Sequence, residues 1–252
     1  MKIAIIGGGH IGGACALGLQ GAADVWASAR SEGTLSKFEG TLVTATTDNA
    51  AAVQGAEVVM FCVKTAQMAD AVASVRDLLP GKKVVSMAAQ VGAEQMQEMI
   101  GSGVELAYVI PNTAAALGES LTFIAPVSAS PRTIEILEEL FGNVGKTAVV
   151  SMEMLPAGIS LASCGIGYAL KYIAAAVEGG VKLGFSREES EQIVAQTVLG
   201  AALVQLSSDD TPEQEVRKVA TPGGLTERGV KAMDEAGFTE AVIAGLTACK
   251  QK

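Results

Sequence analysis

Lys2-Ile3-Ala4-Ile5-Ile6-Gly7-Gly8-Gly9-His10-Ile11-Gly12-Gly13 decides the fold. Residues 2–6 make a short apolar strand, and the chain then turns at once through glycines into a helix of small residues reaching about residue 20. Gly7, Gly9 and Gly12 fall on G-x-G-x-x-G, and a strand before it with a helix after it is the context that gives the triplet meaning. Gly7 permits the tight turn, Gly9 lets a pyrophosphate approach the backbone, and Gly12 lets the helix pack closely on the strand. The start of such a helix offers free N–H groups and a favourable dipole to an anion. A dinucleotide-binding unit therefore opens the chain.

Outward from this loop, strand patterns recur at 25–28, 42–44, 57–63, 83–88, 106–110, 121–125 and 147–151. Their near-continuous apolar runs are those of strands buried on both faces. Helical patterns at 65–79, 93–100 and 131–141 fill the gaps. Alternating strands and helices predict an α/β fold: a Rossmann-type, doubly wound, mostly parallel sheet. No strand-like run follows residue 151, and helix formers dominate from 156 onward. The expected organisation is a dinucleotide-binding domain over 1–150 and an all-helical domain over 151–252. Segments 159–177 and 193–206 are too apolar for the surface of a small monomeric domain, which predicts a homodimer built on the helical part.

One segment imitates a membrane span. No charge occurs from 154 to 170, but Pro156, Gly158, Gly165 and Gly167 interrupt it. Lys171 is expected to stop it short of the roughly 20 residues a span needs. A helix apolar on all sides is then expected inside a domain or between subunits.

The 252 residues carry a net charge of −9, with 49% hydrophobic and 18% charged side chains. That balance describes a globular chain and argues against nucleic acid or an anionic membrane as partner. Cys15, Cys62, Cys164 and Cys249 form no CxxC pair and His10 is the only histidine, so no metal site is expected and the thiols read as reduced. Met1-Lys2 leads straight into the strand without the pattern of a secretory leader, and the expected compartment is the cytoplasm.

The second strand addresses the choice of cofactor. It ends in Ala27-Ser28-Ala29-Arg30-Ser31, with no carboxylate at its tip to hold a ribose 2′-hydroxyl. Arg30, Ser28 and Ser31 suit a 2′-phosphate instead, which favours NADP over NAD, with Glu32 the residue that speaks against it. His10, inside the glycine loop, faces phosphates rather than a reacting carbon. It is expected to pack on the cofactor or cap the turn. A second feature stands near the far end, in Val219-Ala220-Thr221-Pro222-Gly223-Gly224-Leu225-Thr226. Two hydroxyls, a proline and adjacent glycines make a stiff turn whose N–H groups can converge on an anion.

Taken together these residues resemble the pyrroline-5-carboxylate reductase family over essentially the whole chain. The glycine loop, Cys62-Val63-Lys64, Val109-Ile110-Pro111-Asn112-Thr113 (similar to the family's M-P-N-T), Gly179-Gly180-Val181-Lys182-Leu183-Gly184 and the 220–226 turn (similar to T-S-P-G-G-T-T) carry the likeness. It implies hydride transfer from NAD(P)H to the C=N bond of 1-pyrroline-5-carboxylate, giving proline. It implies that Thr221, Gly223 and Gly224 hold the substrate carboxylate and that Thr226 lies by the ring nitrogen. To the loop residues Gly7, Gly9, His10, Ile11 and Gly12 it adds Asn49, Val63, Lys64, Pro111 and Asn112 as cofactor contacts. It also implies dimerisation through the helical domain. The chain departs from the family at Ser163-Cys164-Gly165-Ile166-Gly167-Tyr168, where the pattern is G-S-G-P-A-Y, and at Thr65, Arg217, Thr221 and Leu225.

Such chemistry suits a chain without a usable histidine, because a protonated cyclic imine is already electrophilic and alignment is the main requirement. Two other readings fit the same residues. Gly167-Tyr168-Ala169-Leu170-Lys171 resembles the G-x-x-x-K start of the β-hydroxyacid dehydrogenase motif, with Lys171 as acid or base, although Ala175 stands where that motif has asparagine. A non-catalytic NADPH-sensing protein is the other.

Overall fold

A single sheet is built from β1 (Lys2–Ile6), β2 (Asp24–Ser28), β3 (Thr44–Thr46), β4 (Val58–Phe61), β5 (Lys83–Ser86), β6 (Glu105–Ile110), β7 (Ser120–Pro126) and β8 (Gly145–Val149), in the order β3-β2-β1-β4-β5-β6-β7-β8. These coordinates are a computed structural model that describes residues 1–249. All neighbouring pairs are parallel except β6 and β7. Strand β1 is central because both its faces are apolar. Ile3 and Ile5 join one core cluster, Ala4 and Ile6 the other, and all four are buried. Helices α1 (His10–Leu19) and α6 (Pro131–Gly142) cover the first face through Cys15, Ala16, Leu19, Leu137, Leu140 and Phe141. Helices α3 (Asn49–Val53), α4 (Met68–Ala73) and α5 (Ala93–Ile100) cover the second through Val53, Met68, Val72, Met96 and Ile100. Each such large side chain contributes roughly 1.5–3 kcal/mol on burial.

Two sequence expectations shift by two residues. The third strand is β3 at Thr44–Thr46, because Val43 is spent as a core anchor while Leu42 stays exposed. The last is β8 at Gly145–Val149. There a Cβ on Gly145 would stand 2.0 Å from the Ser120 carbonyl oxygen, so only glycine admits that pairing. The long helix expected over 65–79 is broken into a 3-10 turn at Thr65–Gln67, α4, and a second 3-10 turn at Arg76–Leu78. Ser74 is the cause: its hydroxyl donates to the Ala71 carbonyl at 2.7 Å, competing with the helical ladder. The break turns Val75 and Leu79 into the core.

The chain divides into two compact units, Met1–Ser163 and the remainder from Cys164. The division falls later than residue 150, because Leu155 is buried and Gly158 packs directly under the Phe123 ring in α7 (Leu155–Gly158). The second unit holds α8 (Gly165–Lys182), α9 (Arg187–Leu206), α10 (Pro212–Val219), α11 (Leu225–Glu235) and α12 (Phe238–Ala248). Helices α8 and α9 form a hairpin, since Gly180 lets Ser190 come so close that a Cβ would meet its Oγ at 2.6 Å. A capping box of Ser186 and Glu189 starts α9. Among the described residues of this unit, only Val177 and Ser190 are buried.

The apolar run does not stop at Lys171. A helical stretch continues through Leu155–Lys182, 28 residues whose most apolar 18-residue window has mean hydropathy 1.3, and is long and apolar enough to cross a membrane by length and composition. Lys171 simply sits exposed on α8. Nor is the stretch buried inside the chain: only 6% of its most apolar window is covered.

Candidate active site

Ile6 of β1 pairs with Ser28 of β2 on one side and with Phe61 of β4 on the other, so three strands end level with each other. The chain leaves these ends in opposite directions across the sheet, and such a switch point opens a crevice at the carboxyl edge. A cleft of about 960 Å³ lies there. Its lining includes Gly7, Gly9, His10, Ile11, Ser28, Arg30, Ser31, Asn49, Val63 and Lys64 of the residues read from sequence, together with Gly8, Thr34, Cys62, Gln67 and Asp70, which were not foreseen.

The glycine loop is fixed from below. Gly7 and Gly8 donate their N–H groups to the Ser28 carbonyl at 3.0 and 2.8 Å. Gly7 has φ +105°, and a Cβ on Gly12 would lie 2.2 Å from the Gly7 oxygen. Gly9 is different: a Cβ there would meet no atom within 4 Å. The loop is thus closed toward the protein and open toward the cleft, beside the first N–H groups of α1. His10 is the first residue of that helix, exposed, and makes no side-chain cap, so its expected role as a cap is not realised.

Ser28 is buried, and its hydroxyl donates to Asn49 Oδ1 at 2.7 Å; Asn49 Nδ2 donates in turn to Ser74 Oγ at 2.9 Å. Ser28 therefore orients Asn49 from within the cleft lining. Arg30 and Ser31 remain at the mouth, where Ser31 Oγ and Thr34 Oγ1 are 2.9 Å apart. Glu32 begins the short α2 (Glu32–Leu35) outside the cleft lining. Lys37, in the following turn, donates from Nζ to the Gly9 carbonyl at 3.0 Å, held there by its neighbour Phe38 packing on Gly8. Nothing in its local sequence marked Lys37. Burial pushes the Cys62 thiol well above its ordinary value and that of Cys15 to about 12, so neither is a ready nucleophile.

Pro111 and Asn112 stand apart from the cleft lining. Asn112 is buried at the start of a 3-10 turn, where Oδ1 accepts from the Ala114 N–H at 3.0 Å and Nδ2 donates to the Ala162 carbonyl at 3.4 Å. Its amide is committed to holding backbone, not to the cleft.

In the second unit, Thr221, Gly223, Gly224 and Thr226 form the tight link between α10 and α11. Gly223 has φ +75°, the Gly224 N–H donates to the Thr221 carbonyl at 2.9 Å, and a Cβ on Gly224 would strike Thr221 Oγ1 at 2.8 Å. The turn is as stiff as its sequence suggests. The Gly223 N–H already holds a carboxylate: Glu227 Oε2 accepts from it at 2.7 Å. Thr226 is exposed in the first turn of α11, and Leu225 beside it is 80% exposed. Tyr168 has a structural partner, donating from its hydroxyl to the Gly245 carbonyl at 3.0 Å.

Two family models match the chain. Residues 153–252 match pyrroline-5-carboxylate reductase dimerisation, and residues 2–90 match NADP oxidoreductase coenzyme F420-dependent. The pyrroline-5-carboxylate reductase of Pisum sativum is 30% identical over 85% of this chain and 79% of its own length. Pyrroline-5-carboxylate reductase 1 of Dictyostelium discoideum is 29% identical over 99% of this chain, which spans only 49% of that relative. The crystal structure of Plasmodium falciparum pyrroline carboxylate reductase with NADP bound superposes with a TM-score of 0.90 at 21% identity, covering 99% of this chain and 95% of that one.

Proposed function

The chain belongs to the pyrroline-5-carboxylate reductase family, and from that premise we propose that it reduces the C=N bond of 1-pyrroline-5-carboxylate with NADPH to give L-proline. The observation that carries this reading is a glycine loop closed beneath and open at Gly9 in the same chain as a Gly-Gly turn whose N–H takes a carboxylate.

The cleft fits a dinucleotide on its own terms. Gly9 leaves room for a pyrophosphate against the backbone, and the α1 N-terminus supplies donors and a favourable dipole. Arg30 and Ser31 take the 2′-phosphate, which makes NADPH the preferred cofactor over NADH. Asn49, Val63 and Lys64 line the far side, with Asn49 turned by Ser28. The cofactor, when bound, supplies the hydride. Thr221, Gly223 and Gly224 hold the substrate carboxylate, and the Thr226 hydroxyl bonds the ring nitrogen. Because the protonated imine is itself electrophilic, these contacts need only align it, and no strong side-chain acid is required.

The second unit assembles as a homodimer. Support comes from its matching dimerisation model and from a helical unit that buries only Val177 and Ser190 among its described residues.

Oxidation of NADPH in the presence of 1-pyrroline-5-carboxylate, with proline identified by mass spectrometry, tests the reading. The six-membered piperideine analogue and NADH serve as parallel arms. Faster turnover of the five-membered ring with NADPH is the expected result. NADPH binding without turnover of either imine would overturn it.

A further inference from the structure

The segment that departs most from the family pattern, Ser163-Cys164-Gly165-Ile166-Gly167-Tyr168, places a thiol where that pattern has serine. This thiol has company. Cys164 precedes α8 and its side chain hydrogen-bonds that of Cys249, which follows α12. The Tyr168 hydroxyl lies 2.7 Å from Cys249 Sγ while it also donates to the Gly245 carbonyl at 3.0 Å. A Cβ on Gly245 would sit in ordinary contact with the Tyr168 ring, at 3.8 Å. The other two cysteines lie in the first unit, Cys15 buried and Cys62 at the cleft floor.

We propose that Cys164 and Cys249 form an oxidative modification site, in which a peroxide converts the two neighbouring thiols into a disulfide joining the start of α8 to the end of α12. One thiol is oxidised to a sulfenic acid as the peroxide O–O bond takes up two electrons and releases water. The other sulfur then displaces the sulfenic oxygen as a second water, and the S–S bond forms. Both cysteines are half-buried, and the bridge would join side chains that are already hydrogen-bond neighbours. Burial, with the neighbouring thiol, pushes Cys164 above its ordinary value. A raised Cys164 holds less thiolate, which slows its reaction with peroxide. The effect of the bridge is mechanical. Helix α12 is held to α8 by the Tyr168 contacts and by an edge-to-face pair of Tyr172 and Phe238 at 6.4 Å. A covalent link across that long chain segment removes disorder from the opened state.

The test uses the full chain, treated with hydrogen peroxide and then mapped without reduction. The expected result is a mass loss of two hydrogens, a cross-linked peptide pairing Cys164 with Cys249, and a higher Tm, all reversed by dithiothreitol. Cys164→Ser and Cys249→Ser should each abolish the cross-link and the Tm shift, and Cys15→Ala should abolish neither. A link between Cys249 residues of two chains overturns the proposal, as does separate over-oxidation of the two sulfurs without a link. It stands independently of imine reduction.

Discussion

Gly9 and Gly12 respond to an added methyl for opposite reasons. A Cβ on Gly12 has the Gly7 oxygen at 2.2 Å, and one on Gly9 has no neighbour within 4 Å. Gly12→Ala is therefore expected to cost about 1–3 kcal/mol of stability in denaturant unfolding. Gly9→Ala should leave the unfolding midpoint unchanged and weaken NADPH binding by about tenfold or more in calorimetry, since the methyl takes the phosphate's place. At the cleft mouth, Arg30→Ala should weaken NADPH by about tenfold or more while NADH changes little, because a charge-assisted bond to the 2′-phosphate is lost. Equal losses would remove Arg30 from cofactor choice. At this scale the sequence was legible where a backbone need forces a residue type, as at Gly7 and Gly12. It was illegible where position comes from packing. Lys37 reaches the loop only because Phe38 lodges under Gly8, and Ser28 faces Asn49 only because β2 and α3 are neighbours in space.

Elements were legible by period and less so by boundary. The period of 93–100 locates α5 to the residue, because Met96 and Ile100 fall on one buried face. The same reading over 65–79 missed that Ser74 can satisfy a helix carbonyl itself. A polar contact between elements sets a pH dependence. Glu105 on β6 accepts from the Ser130 N–H at 2.7 Å and from Thr133 Oγ1 at 2.6 Å, at the start of α6. Hydrogen bonds from Ser130 and Thr133 hold its carboxyl below the ordinary value in the folded chain. A carboxyl lowered on folding adds stability above its unfolded value, and that stability is lost as pH falls through the folded one. Glu105→Gln should therefore be less stable at neutral pH by about 1–2 kcal/mol. The gap should narrow as pH falls through the carboxylate range and close below it, measured as chemical unfolding against pH. A gap constant with pH would mean packing, not charge, is at stake.

For the whole molecule, the two-part plan was readable from the disappearance of strands after residue 151, while the place of division was not. Residues 151–163 look like the helices that follow, but Leu155 and the Gly158–Phe123 contact bind them to the first unit. The second unit exposes Leu199 and Leu203 on α9 at 52% and 53%. Charging both, as Leu199→Glu with Leu203→Glu, should shift the mass in light scattering from dimer to monomer and lower Tm; an unchanged dimer would place the interface elsewhere. The Glu227 carboxylate on Gly223 is tethered four residues from its donor, and on the proposed reading of this turn it competes with the substrate carboxylate at an effective concentration on the order of millimolar or above. On that reading, an arriving imino acid must exchange with Glu227, and KM contains that exchange. Glu227→Gln should lower KM for the imino acid with kcat held, making the natural chain a catalyst that leaves its substrate site idle until the substrate is abundant.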